Sequence, residues 1–199
     1  MALKFAVNNS LSAVTSLPTA ISTGSMTLLQ TQTASDSSTI SFTSNIDSTY
    51  DEYIFKYINV HPASNSYLTV GFRDGGTDYD ATKTSTDFYA QHAEAGGSES
   101  LSYSTHWDLV QSTAYQPLAP DIGDQNDECA SGTMHLFAPS STTFVKHYLA
   151  VSNQYHPSDF SQVWYMAGYC NTTSAIDGVQ FKMSSGNIGS GTFKLYGVS

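Results

Sequence analysis

Charged side chains are scarce in this 199-residue sequence, in which Asp, Glu, Lys and Arg make up 12%. That is about half of the ~25% found in an average soluble domain. Basic residues are the scarcest, with one arginine, Arg73, and only seven Lys and Arg together against 17 Asp and Glu. A net charge of −10 leaves no basic patch that could neutralise a row of phosphates. The composition therefore argues against a nucleic-acid partner and against an anionic membrane surface.

Cysteines are also few, and long apolar runs are missing. Cys129 and Cys170 are too few for a disulfide framework, which favours two buried or half-buried thiols. A bond between them stays open, although a reducing cytoplasm disfavours it. No stretch approaches the roughly 18 apolar residues that a membrane-spanning helix needs. The first residues lack the continuous apolar core of a secretory signal, so we expect the protein to be made and folded in a cytoplasm.

Aromatic residues, by contrast, are abundant, at 13% of the chain with 13 Tyr and 10 Phe, and they favour strands. The C-terminal stretch 175–199 shows the pattern best. Val179 and Phe181 share one side of its first run, and Phe193 and Leu195 share one side of its second. A turn rich in Gly, Asn and Ser separates the two runs. We predict a closing hairpin in a sheet with one apolar face.

Similar alternation recurs along the chain and predicts roughly nine or ten strands and no amphipathic helix. The run 53–60 is apolar almost throughout, so we predict a central strand covered on both faces. The strand spacing predicts an all-β fold, a single jelly-roll-like β-sandwich over residues 25–199 with an extended N-terminal arm over residues 1–24. The other predicted strands cover 26–33, 39–43, 67–73, 86–92, 132–137, 143–151 and 162–170.

Regularity is lowest between residues 74 and 131. The segment 101–115 predicts one more strand or a short helix, and Pro117, Pro120 and the acidic run 121–128 predict a long loop. Loops of this length in a compact domain are usually functional. We therefore expect part of any contact surface to lie here.

The first 24 residues differ from the rest because small apolar groups are scattered among Asn, Ser and Thr without a steady period. Two interpretations stay open, an ordered arm that packs on a neighbouring subunit and a disordered lead-in. The apolar groups are too many for a well-solvated tail, which favours the arm. The predicted capsid or subunit contacts are Leu3, Phe5, Val7, Leu11 and Leu17.

Acidic clusters provide the candidate metal ligands. Asp124, Asn126 and Glu128 alternate as oxygen ligands do in a calcium loop, but Cys129 and His135 stand where an EF-hand needs Gly and Glu. A non-standard metal site and a solvated acidic loop both stay open. The same two alternatives apply to a second cluster, Asp74, Asp78 and Asp80. No histidine pair has metal-ligand spacing and no nucleophile motif is present, so we predict no enzyme activity and no cofactor.

Aromatic residues in the irregular segment are the candidate ligand-binding groups. Tyrosine offers apolar area and a hydroxyl at low entropic cost, which suits interfaces and sugar stacking. The alternative is that these rings only cap the ends of a sandwich. The residues singled out as possible ligand-binding positions are Tyr103, Trp107 and Tyr115.

The C-terminal phrase IDGVQFKMSSGNIGSGTFKLYGV resembles the end of small β-sandwich structural proteins from tailed bacteriophages, especially marine ones. The resemblance also covers SFTSNIDSTYDEYIFKYINVHPAS and SGTMHLFAPSSTTFVKHYLAV, so most of the chain after about residue 28 takes part. In such proteins, a strand, a glycine-containing turn and a strand ending in LYG form the last hairpin of a jelly roll. The matching positions here are Gly186, Gly189, Gly191, Leu195, Tyr196 and Gly197.

The resemblance implies a virion structural protein, assembled in the host cytoplasm and without catalytic residues. The leading expectation is a capsid decoration (cement) protein, a homotrimer bound to the outer head surface through the major capsid protein or other virion proteins. The alternative is a receptor-binding module of a tail fibre or tail tip that binds a host surface glycan. A fibre protein usually carries a longer stalk, which this chain lacks.

Overall fold

The computed structural model describes residues 26–199, and the predicted N-terminal arm with its five apolar contacts lies outside them. Residues 26–199 contain twelve strands and no helix, so this part of the chain has no helix that could cross a membrane. The strands are β1 (Met26–Ser37), β2 (Ile40–Phe42), β3 (Glu52–Pro62), β4 (Ser66–Arg73), β5 (Lys83–Ala93), β6 (Ser100–Tyr103), β7 (Gln116–Ile122), β8 (Ala130–Phe137), β9 (Lys146–His156), β10 (Phe160–Cys170), β11 (Gly178–Met183) and β12 (Ile188–Val198).

Two antiparallel sheets pack face to face, as in a β-sandwich. The large sheet has eight strands in the order β1-β12-β3-β8-β9-β10-β5-β6, and the small sheet has four in the order β2-β11-β4-β7. Side chains alternate between the core and the outside, most regularly in β9, where Tyr148, Ala150 and Ser152 point inward. The all-β prediction is confirmed for the described residues.

Aromatic rings join the two sheets in the core. Phe181 of the small sheet is fully buried, with its ring centroid 5.2 Å from that of Phe193 and 5.8 Å from that of Phe55 in the large sheet. Phe42 of the small sheet lies 5.4 Å from Phe55 in an edge-to-face contact. Such ring pairs add to the free energy of burying the rings themselves.

The small sheet covers only part of the large one. Its edge strand β7 packs against β9 and β10, two strands short of the β6 edge of the large sheet. The four strands β9, β10, β5 and β6 therefore form an extension of the large sheet, and its outermost part projects past β7. This extension carries both of the surfaces described below.

The closing hairpin prediction is wrong in its pairing. The strands β11 and β12 have the predicted alternation, with Phe181 and Phe193 inward, but they belong to different sheets. The turn between them carries the chain from one sheet to the other. The last strand is nevertheless seated between two others, β1 and β3, as expected of a C-terminal strand.

Two further predictions are wrong. The strand β3 is covered on one face only, because Tyr53, Phe55 and Tyr57 are buried while Ile58 is 39% exposed. Residues 116–122 form a strand rather than part of a loop. Prolines are tolerated there because β7 is the edge strand of the small sheet, where an N–H is not needed on the open side.

Candidate functional site: an aromatic cleft and an uncharged sheet face

A cleft of about 320 Å³ opens between the sheet extension and the end of β7. Its floor comes from the inward face of β5 and β10, and its walls come from β6, the loop that follows β6, and β7. Four of its eight lining residues are aromatic and one is acidic. The lining residues are Tyr89, Ser102, Tyr103, Ser104, Trp107, Asp121, Gln162 and Trp164.

The aromatic groups are held by contacts behind the cleft. Tyr89 and Trp164 are cross-strand partners, and their rings stack with centroids 4.7 Å apart. The Trp107 ring packs on that of Tyr67, also at 4.7 Å. The backbone carbonyl of Trp107 accepts a hydrogen bond of 3.1 Å from the amide of Gln116, a fully buried side chain. These contacts hold the Tyr89–Trp164 pair and the Trp107 ring in position.

A row of three glutamines lies across adjacent strands at the cleft floor. Gln162 pairs in register with Gln91 on one side and with Gln154 on the other. Its Nε2 donates to Gln91 Oε1 at 2.8 Å, and its Oε1 accepts from Gln154 Nε2 at 3.1 Å and from Trp164 Nε1 at 3.3 Å. The Oε1 of Gln154 is buried without a partner. The row holds the Trp164 indole in one orientation.

Two carboxylates set the charge of this region. Asp121 stands exposed at the cleft and has a left-handed backbone, with φ of 59°. Asp87 precedes Tyr89 by two positions on the inward face of β5, where it is 1% exposed and both of its oxygens lack a hydrogen-bond partner. Burial raises the pKa of Asp87 to about 6, and the Asp108 charge adds to the rise, while the nearby Ser104 hydroxyl lowers it.

The opposite, outward face of the extension is apolar and uncharged. The rings of Phe88 and Tyr165 stack there at 5.0 Å, next to Leu149 and Val151. These four side chains are between 39% and 49% exposed and border an apolar groove of about 240 Å³. No outward position of β5, β9 or β10 carries Asp, Glu, Lys or Arg. We call this surface the outer face.

The structure brings two of the three predicted ligand-binding residues together. Tyr103 and Trp107 line the cleft, and the Tyr103 hydroxyl donates to Asp108 Oδ2 at 2.8 Å. Tyr115 lies elsewhere, with its hydroxyl donating to Gln180 Oε1 at 2.6 Å and the Lys182 ammonium 4.1 Å from its ring centroid. It lines a separate pocket of about 500 Å³, to which Asp78 and Asp80 of the second acidic cluster also contribute.

Two of the three predicted metal ligands accept hydrogen bonds from the backbone. Asp124 Oδ2 accepts a hydrogen bond of 3.3 Å from the Asn65 backbone, and Glu128 Oε2 accepts one of 2.7 Å from the Gln125 backbone. Glu128 is 2% exposed, whereas Asn126 is exposed. Within residues 26–199, no three His, Cys, Asp or Glu side chains are grouped as a metal site would require. Cys129 and Cys170 are both free thiols.

Several lining residues were not singled out from the sequence as site residues. Tyr89, Gln162 and Trp164 lie within segments whose pattern predicts only sheet strands, and Asp121 lies in a segment predicted to be a loop. A usable signal was the polar inward face of β5, where Asp87, Tyr89 and Gln91 alternate with outward apolar residues. Comparison with family models and with curated proteins finds nothing that this chain matches.

Proposed function

We propose that this chain is a structural protein of a tailed-bacteriophage virion, a decoration (cement) protein that binds the outer surface of the head. Strand order carries the proposal. Without β5, β6, β9 and β10, the remaining strands make two four-stranded sheets, β1-β12-β3-β8 and β2-β11-β4-β7. Successive strands switch sheets except at β4 and β7, as in the two Greek keys of a jelly roll, a fold of viral capsid and lectin domains.

In this interpretation, the extension is an addition to the jelly roll. The strands β5 and β6 are inserted between β4 and β7, and the hairpin β9-β10 between β8 and β11. Both insertions join the same edge of the large sheet. An assembly surface built on inserted strands leaves the jelly-roll core unchanged, which supports a role in binding neighbours.

We further propose that the outer face binds a second copy of this chain within a homotrimer. Copies that each carry a net charge of −10 repel one another. Contact is least unfavourable where the surface is uncharged and apolar, and the outer face has both properties. A stable interface buries about 1,600 Å² in total. The arm residues Leu3, Phe5, Val7, Leu11 and Leu17 are then the proposed contacts with the major capsid protein.

Light scattering or analytical ultracentrifugation tests the trimer. We expect Leu149→Glu to give a folded monomer, because it places a charge at the centre of the outer face. Leu28→Glu is the matched control, since Leu28 is 51% exposed against 49% for Leu149 but lies on β1 at the opposite edge of the sheet. A wild-type monomer, or a Leu149→Glu variant that still forms trimers, would contradict this interface.

Copy number per virion tests the decoration role itself. A quantitative gel of purified particles should show hundreds of copies, whereas a few tens or fewer would refute it and point to the tail.

Deleting residues 1–24 should leave a folded domain that no longer joins particles. Incorporation of that truncated protein would refute the proposed arm contact.

The aromatic cleft favours a second candidate, the receptor-binding module of a tail fibre or tail tip. Jelly rolls also serve as lectins, and the cleft supplies ring surfaces beside polar groups. A low copy number together with glycan binding would favour this candidate.

A further inference from the structure

We propose that the cleft between β5, β6 and β7 binds one ring of an uncharged saccharide. The inference names the ligand class for the second candidate function, and it does not depend on where the protein sits on the virion. The cleft has a volume of about 320 Å³, which is at the lower end of the ~300–1,000 Å³ that small-molecule sites have. A single sugar ring with its substituents suits a site of this size.

The cleft has the two kinds of surface that a sugar ring needs. A pyranose has an apolar C–H face that packs on aromatic rings, and both Trp107 and Tyr89 are only partly buried, so they offer ring surface in the cleft. The hydroxyls around the edge of a pyranose need hydrogen-bonding groups, and Ser102, Ser104 and the Asp121 carboxylate supply them. A carboxylate can accept two hydrogen bonds from neighbouring hydroxyls.

The charge of the cleft selects against anionic ligands. None of its lining residues is Lys or Arg, one is Asp121, and the Asp87 and Asp108 carboxylates lie close by. Bringing a sialic acid, a uronic acid or a phosphate into this field would cost free energy without a compensating ion pair. The cleft is therefore unsuited to an anionic ligand.

A compact organic cation is the closest competitor, since rings beside a carboxylate also bind quaternary ammonium groups. The distribution of polar atoms favours a sugar. The Ser102 hydroxyl already donates to the Tyr103 carbonyl at 3.2 Å, and the Ser104 hydroxyl already accepts from the His106 N–H at 3.3 Å. Both oxygens keep acceptor capacity toward the cleft, which a sugar hydroxyl can use and a quaternary ammonium cannot. An unused polar group in a site that binds a ligand costs affinity.

The cleft is also preorganised, which lowers the entropic cost of binding. The Trp164 indole is fixed by its hydrogen bond to Gln162 and by stacking on Tyr89, and the Trp107 loop is fixed through Gln116. The ligand would meet rings already in place.

Intrinsic fluorescence reports on the cleft directly, because the protein has only two tryptophans and both line it. The full-length protein is titrated with galactose, glucose, mannose and N-acetylglucosamine, and separately with choline and with sialic acid. We expect a saturable change in emission with at least one neutral sugar and none with sialic acid.

Asp121→Asn should weaken that binding about tenfold or more, because it removes a charged acceptor. Asparagine tolerates the left-handed backbone at this position, so the fold should survive. The matched control is Asp36→Asn, the same change at another left-handed aspartate, with φ of 48°, on β1 at the far edge of the sheet. It should bind like the wild type. Trp107→Ala should abolish binding while Trp164 still reports.

Three results would overturn the inference. The first is no saturable response to any of the neutral sugars, and the second is a response to choline or sialic acid alone. The third is sugar binding that Asp121→Asn and Trp107→Ala leave intact, which would place the site elsewhere. Failure here leaves the decoration role untouched, since copy number decides that role separately.

Discussion

Replacing Asp87 with asparagine should stabilise the protein at neutral pH, and the gain should grow as the pH rises. Asp87 is 1% exposed and its two oxygens have no hydrogen-bond partner, so the ionised form is destabilised in the folded state. Burial raises its pKa from the ordinary carboxyl value of 3.8 to about 6. At about 1.36 kcal/mol per pKa unit, a rise of roughly 2 units corresponds to about 3 kcal/mol.

The sign follows from proton linkage. The folded carboxyl holds its proton more tightly than the unfolded one, so its contribution to stability is fully present below the unfolded pKa and is lost as the pH rises through about 6. Asparagine is similar in size and never ionises, so Asp87→Asn does not lose this contribution. The difference in unfolding free energy between variant and wild type should therefore increase with pH, by about 3 kcal/mol across the whole titration.

Urea denaturation of both proteins at several pH values measures this difference. A range from about pH 5 to pH 8 stays above the isoelectric point of about 4.6 and should capture roughly half of the total change. Because the variant is compared with the wild type at each pH, other titrating groups cancel. Asp108→Asn serves as a second variant, since it removes only the smaller contribution, the neighbouring charge. Its curve should change in the same direction by less.

A difference that stays flat from about pH 5 to pH 8 would refute the reasoning. It would mean that the Asp87 carboxylate is solvated or paired in solution, contrary to its buried and unpartnered position. A difference that falls with pH would mean that a cation stabilises the ionised form.

Three further predictions concern the core, a strand contact and the thiols. Phe181→Ala should lower the unfolding free energy by about 3–5 kcal/mol in urea denaturation, because the ring fills the space between the sheets; a loss below about 1 kcal/mol would contradict that packing. Gly71→Ala should cost about 1–3 kcal/mol and lower the Tm, since a Cβ there would stand 2.6 Å from the Tyr115 ring, and an unchanged Tm would show that the ring moves freely. Alkylation followed by mass spectrometry should label Cys170 only after denaturation, because it is buried and its pKa is raised to about 12. Cys129, which is partly exposed, should react in the folded protein but slowly because burial raises its pKa too, and rapid native labelling of Cys170 would contradict its position.

The strand β5 shows why the site was harder to predict than the fold. Its apolar residues Phe88 and Ala90 would be expected to face the core, but they face outward, and Asp87 and Tyr89 face inward. The face is set by the partner strand β10, whose register places Trp164 opposite Tyr89 on the inner side. A period of two shows that two faces exist and cannot show which one a neighbouring sheet will cover.

The sequence by itself determined the fold class and most strand positions, because the period of two in segments such as β9, β11 and β12 is a local property of neighbouring residues. Tertiary structure alone decided that β11 and β12 join different sheets and that β7 is a strand. It also decided that residues as distant in sequence as Tyr89, Asp121 and Trp164 meet in one cleft. Strand pairing depends on which distant segments meet, and that choice is made by the packing of the whole core rather than by any one stretch of chain.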